Sequence, residues 1–432
     1  MIGMKNVRLG LVGCGNVGTA FCKLLREKEA LYRQRDGLSF EIVAIGVKHP
    51  DKSRDAAVPM DRIVEGWQTV TARDDIDVLV ELIGGSGAAE DAVFDAVGRG
   101  RHTVTANKVV LATRGKTLTD LATQNKCGLC FEASVGSATP VIGPIANALS
   151  ANRFDQLTAI VNGTTNFVLT RMTEKGIPFD EALAEATALG FAEKDPAFDV
   201  DGLDAAQKLS ILAALAFGVE VPPNEIYTEG IRGVTPQDIR LAAALGCVIK
   251  LLAIGRRTEN GLELRVHPAL VSAKHPLASV RRELNAFFLT GDMSGEIMLY
   301  GRGAGPEPTA SAVLSDVARL AKYDQTTWFS RLWHYDNLEH VPIGDIETGY
   351  HLIFPVLDKP GIIGRITSTL GSYNLNIESA HAEIPEPSNG TGLVQIVSRR
   401  AKERDVRAAF RAVSELPLLS GPARLYRIEI PS

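Results

Sequence analysis

The stretch that most constrains this chain is a short apolar strand running straight into a glycine motif and then a helix. Residues 7–12 (VRLGLV) feed Gly13-Cys14-Gly15-Asn16-Val17-Gly18, and helical periodicity follows from residue 19 to about residue 33. GxGxxG between a strand and a helix is the setting that binds a dinucleotide. Gly13 permits the tight turn, Gly15 lets a pyrophosphate approach the main chain, and Gly18 lets the helix pack close to the strand. The phosphates then sit on the helix N-terminus, beside Asn16 and Val17. The other reading is a tight strand–helix turn with no ligand.

A parallel α/β sheet is expected to continue from this start. The second strand, 41–47, ends in Lys48-His49 rather than in Asp or Glu. The acid that would hold a ribose 2′-hydroxyl is missing, while Lys48 and Arg54 suit a 2′-phosphate, so NADP is expected ahead of NAD. Either basic residue reads equally as a solvated loop charge. Residues 77–85 form another buried strand ending in Gly84-Gly85, at the edge where open parallel sheets bind ligands. A strand at 102–105 delivers Lys108 to the same edge, facing ligand or, on the plainer reading, solvent. A helix at 117–125 and a strand at 128–132 complete a unit expected to span 1–145. The loop from Glu132 to Pro140 is rich in small residues. It reads as a tight crossover, or as a cage of carbonyls that with Glu132 holds a hard monovalent cation.

Length and charge narrow the class. A chain of 432 residues predicts two or three domains. With 46 basic and 51 acidic residues, net charge −5 and no long basic run, neither a nucleic acid nor an anionic membrane is an expected partner. No apolar run approaches about 18 residues and the N-terminal MIGMKNVR lacks a signal-peptide core, so a cytoplasmic enzyme is expected. The five cysteines include one lone CxxC, Cys127 to Cys130, with no second pair to complete a zinc site or a disulfide framework. None sits as a nucleophile beside a base, which argues against thioester chemistry.

Beyond residue 145 the pattern becomes α+β. A strand at 154–161 leads into Asn162-Gly163-Thr164-Thr165-Asn166, then two helices, the second stopped by Gly190. There begins GFAEKDPAFDVDGLDAAQK, residues 190–208. Residues 195–202 read as an irregular loop and 203–217 as a helix. Asp204 and Lys208 then lie four apart on one face, and a carboxylate beside an amine can bind a polar substrate and move a proton. An ordinary exposed ion pair at a helix start has the same spacing. A base must be neutral near the working pH, which for an amine calls for burial or a neighbouring cation such as Lys108, against the pull of Asp204. The unit 146–330 reads as a substrate-binding and dimerisation domain. Its glycine stretch at 301–305 and following helix are expected to complete the nucleotide unit over 303–325. Residues 331–348 read as a linker, and 349–432 follow the strand–helix–strand–strand–helix–strand order of a ferredoxin-like unit.

GCGNVG, ANK at 106–108, EASVGSATP, NGTTNF and GFAEKDPAFDVDGLDAAQK, in that order, resemble a homoserine dehydrogenase over residues 7–330. The resemblance implies NAD(P)-dependent interconversion of L-homoserine and L-aspartate 4-semialdehyde in threonine and methionine biosynthesis. It implies Lys208 as acid/base, Asp204 as its partner, Glu193 and Asp199 on the substrate amino group, and Lys108 by substrate and cofactor. Gly84 and Gly303 or Gly305 would face the cofactor. Glu132, with the carbonyls of Val135, Ser137 and Thr139, would hold a structural sodium. Ser137 and Thr139 replace smaller or apolar residues, and Phe198 stands where some relatives carry an acid. DKPGIIG and NLNI resemble an ACT domain, implying an amino-acid effector, expected to be L-threonine, or a passive dimerisation module. A homodimer or homotetramer is expected. Two other functions remain at this level: another amino-acid oxidoreductase of similar fold, and a non-catalytic sensor of NADP and an amino acid.

Overall fold

The structure is a computed structural model describing residues 4–192, 195–323, 338–384 and 390–429. The N-terminal part runs β1 (Lys5–Val12), α1 (Asn16–Asp36), β2 (Leu38–Val47), β3 (Ile63–Glu65), α2 (Gln68–Thr71), β4 (Val78–Glu81), α3 (Ala88–Gly98), β5 (His102–Thr105), α4 (Lys108–Gln124) and β6 (Leu129–Cys130). Its six strands are parallel in the order β3-β2-β1-β4-β5-β6. The chain leaves β1 on one side and returns to β4 on the other, which opens a crevice at their carboxyl ends. Helices cover both faces, so β1 and β4 are apolar throughout their centres, with Leu9, Leu11, Leu79 and Val80 buried. The helix expected at 117–125 is the second half of α4, which bends at Arg114 (φ −139°) and begins at Lys108 itself.

The middle part runs β7 (Phe154–Ile160), α5 (Gly163–Lys175), α6 (Phe179–Ala188), α7 (Ala197–Val200), α8 (Leu203–Phe217), β8 (Tyr227–Thr228), α9 (Pro236–Ala244), β9 (Cys247–Thr258), β10 (Gly261–Ser272), β11 (Leu284–Gly291), β12 (Gly295–Arg302) and α10 (Pro306–Lys322). The strands pair antiparallel as β12-β11-β7-β9-β10. Helix α8, rich in Ala and Leu, is buried along nearly its whole length against β9 and β10. Helix α10 goes back to the nucleotide unit and packs along α1. Lys5 Nζ donates to the Ala321 carbonyl at 2.8 Å, and Lys322 pairs with Asp36 at 2.7 Å.

The C-terminal part, β13 (Glu347–Leu357), α11 (Ile362–Ser372), β14 (Ile377–Glu383), β15 (Thr391–Lys402), α12 (Glu403–Ser414) and β16 (Arg424–Ile428), has the expected strand and helix order. Its strands lie β16-β13-β15-β14, all antiparallel. What the sequence did not suggest is that β16 pairs in parallel with β10, through Ala269 opposite Arg427 and Leu270 opposite Ile428. One sheet therefore runs through the middle and C-terminal parts. Nor is the described end of the 331–348 segment a loose tether. Leu262 N donates to the Glu339 carbonyl at 2.8 Å, Val341 N donates to the Leu262 carbonyl at 2.9 Å, and residues 331–337 lie outside the described residues.

The seam between the two parts is ionic. Arg265 and Arg427 are fully buried. Arg265 holds Glu263 at 2.7 Å and Glu429 at 2.5 Å, and Arg427 holds Glu403 at 2.5 Å and Glu229 at 2.9 Å. The CxxC cysteines are buried, burial raises both thiols, and no group of three metal-capable side chains occurs among the described residues. No described helix is long and apolar enough to cross a membrane.

Burial alone would raise the Glu429 carboxyl, but Arg265 and Arg256 bring it down to about 2, and Arg427 does the same for Glu229. Both lie below the ordinary 4.5, so the stability they contribute is complete above that pH and is lost as the pH falls towards 2. The urea midpoint should therefore drop across this window. Glu429→Gln should lower the midpoint at neutral pH and flatten the acid slope by about one proton; an unchanged slope would remove Glu429 from the account.

Candidate active site

The site is built around Asp204, on the first turn of α8. The chain enters α8 through Gly202 at φ +85°, where a Cβ would also come within 2.9 Å of Thr228 Cγ2. Lys108 Nζ donates to Asp204 Oδ1 at 2.5 Å; Oδ2 accepts from Lys208 Nζ at 2.9 Å and from Asn162 Nδ2 at 2.8 Å. Burial alone would raise this carboxyl, but the Lys208 and Lys108 ammonium groups and the Asn162 amide hold it well below the usual carboxylate range. With Asp204 2% and Lys208 9% exposed, this is not the solvent-exposed helix-start pair that the spacing also allowed. Lys208 Nζ also donates to the Val161 carbonyl at 2.7 Å. An ammonium has three protons, so one remains for the cavity that Lys208 lines.

Lys108 comes from the other half of the molecule. The Asn107 side chain caps α4, accepting from Val109 N at 3.1 Å, and donates to the Gly85 carbonyl at 2.7 Å. The start of α4 is thereby tied to the Gly84-Gly85 turn. Glu81, buried at the end of β4, accepts from Ile83 N, Gly84 N and Thr105 Oγ1, and burial raises its carboxyl despite those bonds.

The stretch before α8 is less irregular than expected. Residues Ala197–Val200 form one helical turn, because Pro196 leaves its carbonyl to the amides of Asp199 and Val200. Asp199 Oδ1 accepts from Asn162 Nδ2 at 2.7 Å and Oδ2 from Thr164 Oγ1 at 3.0 Å. Asn162 thus joins both carboxylates while capping α5 through Thr165 N at 2.8 Å. Asn162 and Thr164 stood in the NGTTNF block with no site role expected of either; a cap residue at the end of a strand was the signal available. Phe198 lies near Lys108, whose Nζ is 5.5 Å from the ring centroid. Asp201 pairs outward with Arg232 at 2.5 Å, and Asp195 caps Ala197 N at 3.2 Å. Glu193 lies outside the described residues.

Two adjoining cavities share Leu82 and Ile83. One, of about 560 Å³, is lined by Val17, Gly84, Lys108, Lys208, Gly303 and Gly305 among others. The other, of about 570 Å³, is lined by Gly13, Gly15, Lys48, Lys52, Arg54 and Trp67 among others. Together they trace a groove along the carboxyl edge of the parallel sheet, where a dinucleotide fits. The glycines differ in what they answer to. Gly13 has φ +95° and a Cβ there would lie 2.7 Å from Ile83 N; a Cβ on Gly18 would lie 2.8 Å from the Gly13 carbonyl oxygen. At Gly15 a Cβ would meet no atom of the described residues within 4 Å, so its smallness answers to none of these neighbours. Asn16 starts α1 at the same turn. Gly303 lies flat on Asn285, whose Cγ would be 2.0 Å from an added Cβ, and Asn285 Nδ2 shares the Val161 carbonyl with Lys208 at 3.1 Å.

At the expected cation loop, the Glu132 carboxylate already has partners. It accepts from Val141 N at 2.7 Å, Ile142 N at 2.9 Å and Gly143 N at 2.7 Å. A cation here would share that carboxylate with three backbone N–H donors. Ser137, at φ +51°, meets Thr309 Oγ1 at 2.8 Å, and Thr139 Oγ1 donates to the Arg302 carbonyl at 3.3 Å. These hydroxyls fasten the loop to the glycine crossover beside Val135.

Residues 13–132 match the family model for the homoserine dehydrogenase NAD-binding domain, and 140–318 match that for homoserine dehydrogenase. The chain is 39% identical to the homoserine dehydrogenase of Pseudomonas aeruginosa, covering 99% of both chains. It is 36% identical to that of Mycobacterium tuberculosis strain H37Rv, covering 98% of both. Among solved structures, it superimposes on a homoserine dehydrogenase from Thiobacillus denitrificans with TM-score 0.92 at 35% identity, covering 99% of both chains. A hyperthermophilic archaeal homoserine dehydrogenase in complex with NADPH matches with TM-score 0.63 at 27% identity, over 73% of this chain and 98% of that one.

The contrast between the glycines is testable. Gly15→Val should leave the melting temperature close to wild type and abolish dinucleotide binding in a fluorescence titration, whereas Gly13→Ala should lower both. Equal affinity in wild type and Gly15→Val would mean that no ligand uses this turn.

Proposed function

The chain belongs to the homoserine dehydrogenase family of NAD(P)-dependent oxidoreductases acting on a CH–OH group, and from that premise we propose that Lys208 moves the proton as L-homoserine and L-aspartate 4-semialdehyde interconvert. The observation that carries this reading is the third Lys208 proton, left over after Asp204 and Val161 and lying at the cavity shared with Gly84 and Gly303. The nicotinamide ring supplies or takes the hydride. When the alcohol is oxidised, Lys208 Nζ as the free amine takes the hydroxyl proton; when the aldehyde is reduced, the ammonium donates to its oxygen. Asp204 fixes the amine and remains the anion balancing it. Lys108 and Asn162 hold Asp204 from the other side, so the amine keeps one position through the cycle. Asp199 and Glu193 are the groups assigned to the substrate ammonium, and Lys108 lies between substrate and cofactor.

Within the same reading the cofactor is NADP, with Gly13, Gly15, Asn16, Val17 and Gly18 on the pyrophosphate and Gly84, Gly303 and Gly305 on the nicotinamide side. Lys48 and Lys52 line the groove where a 2′-phosphate would lie. Arg54 suits that role less, since it donates to the Lys52 carbonyl at 2.7 Å and the His49 carbonyl at 2.8 Å, bracing its own loop. Main-chain carbonyls of Glu132, Val135, Ser137 and Thr139 are the donors proposed for a sodium ion. The C-terminal part is proposed as an ACT unit through which L-threonine feeds back, placing the enzyme in threonine and methionine biosynthesis. A homodimer is the proposed assembly.

Lys208→Ala should lower kcat for homoserine oxidation by about 10²- to 10⁴-fold, with the cofactor KM within about twofold of wild type. A rate within a few-fold of wild type sinks the assignment. Lys48→Ala should raise KM for NADPH by about tenfold, roughly one charge-assisted hydrogen bond, and leave KM for NADH unchanged; equal changes for both cofactors would remove Lys48 from 2′-phosphate recognition. Threonine should slow the full-length enzyme, and a rate indifferent to threonine would withdraw the feedback proposal.

A further inference from the structure

The turn that sets Asp199 and Asp204 is itself held by a segment of β8 and the residues after it. Tyr227 and Thr228 pair with Arg265 and Val266 of β10, and Glu229 N continues the pairing by donating to the Val266 carbonyl at 2.8 Å. Ile231 N then donates to the Val200 carbonyl at 2.8 Å. Between them, Gly230 lies so close that a Cβ there would be 2.3 Å from the Val200 carbonyl oxygen and 2.5 Å from Asp201 Cα. On the other side of the same turn, Gly202 abuts Thr228. At Gly230 main chain rests on main chain, with no flexible side chain to absorb a shift, and at Gly202 the close neighbours are the short, branched Thr228 side chain and the Glu229 carbonyl. The position of residues 228–231 therefore fixes residues 200–202, and through them the start of α8.

What anchors residues 228–231 from outside is the Glu229 side chain. Its ion-pair partners among the described residues are Arg427 at 2.9 Å and Arg407 at 2.5 Å, from β16 and α12 of the C-terminal part. The Tyr227 hydroxyl also donates to it. Arg427 is in turn locked to Glu403, at 2.5 Å, and Tyr350 donates to Glu403 at 2.8 Å. Arg427 and Glu403 are buried while Glu229 and Arg407 are partly exposed, and Arg407 also pairs with Glu403 at 2.6 Å, so the four interlocked charges tend to keep one arrangement.

We propose that Glu229 is a positioning residue for the reaction, through which the C-terminal part sets the Val200–Gly202 turn and hence the placement of Asp199 and Asp204 around the substrate. The Glu229 carboxylate touches neither substrate nor cofactor. It acts by holding residues 228–231 against that turn, so losing it loosens the substrate side of the site and leaves the glycine turn of residues 13–18, on the other sheet, as it was. This rests on the reading of Asp204 and Lys208 as the acid–base pair.

The test is steady-state kinetics on the full-length enzyme with Glu229→Gln, Arg407→Gln, their double variant, and Arg232→Gln as control. Arg232 pairs with Asp201 on the exposed side of the same turn. Glu229→Gln and Arg407→Gln should each raise KM for homoserine, the first by about tenfold, with KM for the cofactor unchanged. Their effects on kcat/KM for homoserine should be non-additive, because both break one contact. Arg232→Gln should behave as wild type. Equal losses for homoserine and cofactor would mark Glu229 as a general stabiliser and overturn the proposal, as would an unchanged homoserine KM or strict additivity. An inactive wild type would instead overturn the dehydrogenase reading, so the two failures are distinct.

Discussion

The arrangement depends on one buried carboxylate holding two ammonium groups. Asp204 receives Lys208 from its own helix and Lys108 from the parallel-sheet half, with Asn162 completing its coordination. A buried anion is costly unless paired and hydrogen-bonded. Here the pairing joins the two halves of the molecule across the groove. The lysine proposed to move the proton is thus located by the contact that brings nucleotide and substrate sides together.

Much of the first unit was legible in the sequence because its constraints are local. GCGNVG needs glycine at Gly13 and Gly18 for the chain's own packing, and at Gly15 for open space towards the groove. The helix carrying Asp204 and Lys208 was legible for the same reason, since a four-residue spacing is a helical neighbour relation. Less legible was everything that depends on residues far apart in sequence. Asn162 reaching Asp199 and Asp204, Asn285 sharing the Val161 carbonyl with Lys208, and Glu81 shaping the Gly84 turn have no periodic signature. Glu132 was picked out as a cation ligand because an acid in a small-residue loop reads that way. What the sequence did not suggest is that its carboxylate also gathers three backbone amides of residues 141–143.

The C-terminal part makes the same point at larger scale. Its strand order was readable from alternating apolar residues. Its attachment was not, because that rests on one parallel pairing, β16 to β10, and on single charged residues scattered from Glu229 to Glu429. Arg265 and Arg427 look like surface residues in sequence and are among the most buried side chains in the fold. A C-terminal part fastened this way shares a sheet with the middle part, so a shift in it bears on β10, the strand that also supports β8.

The central claim is that Lys208 is the base proposed to take the substrate's hydroxyl proton. The most direct measurement is the pH dependence of kcat/KM for homoserine oxidation in wild type and in Lys208→Ala, with cofactor saturating. The account predicts a wild-type profile that rises with pH as a base loses its proton, and a slow variant in which that limb is gone. A variant that keeps the wild-type limb would contradict it and move the base elsewhere.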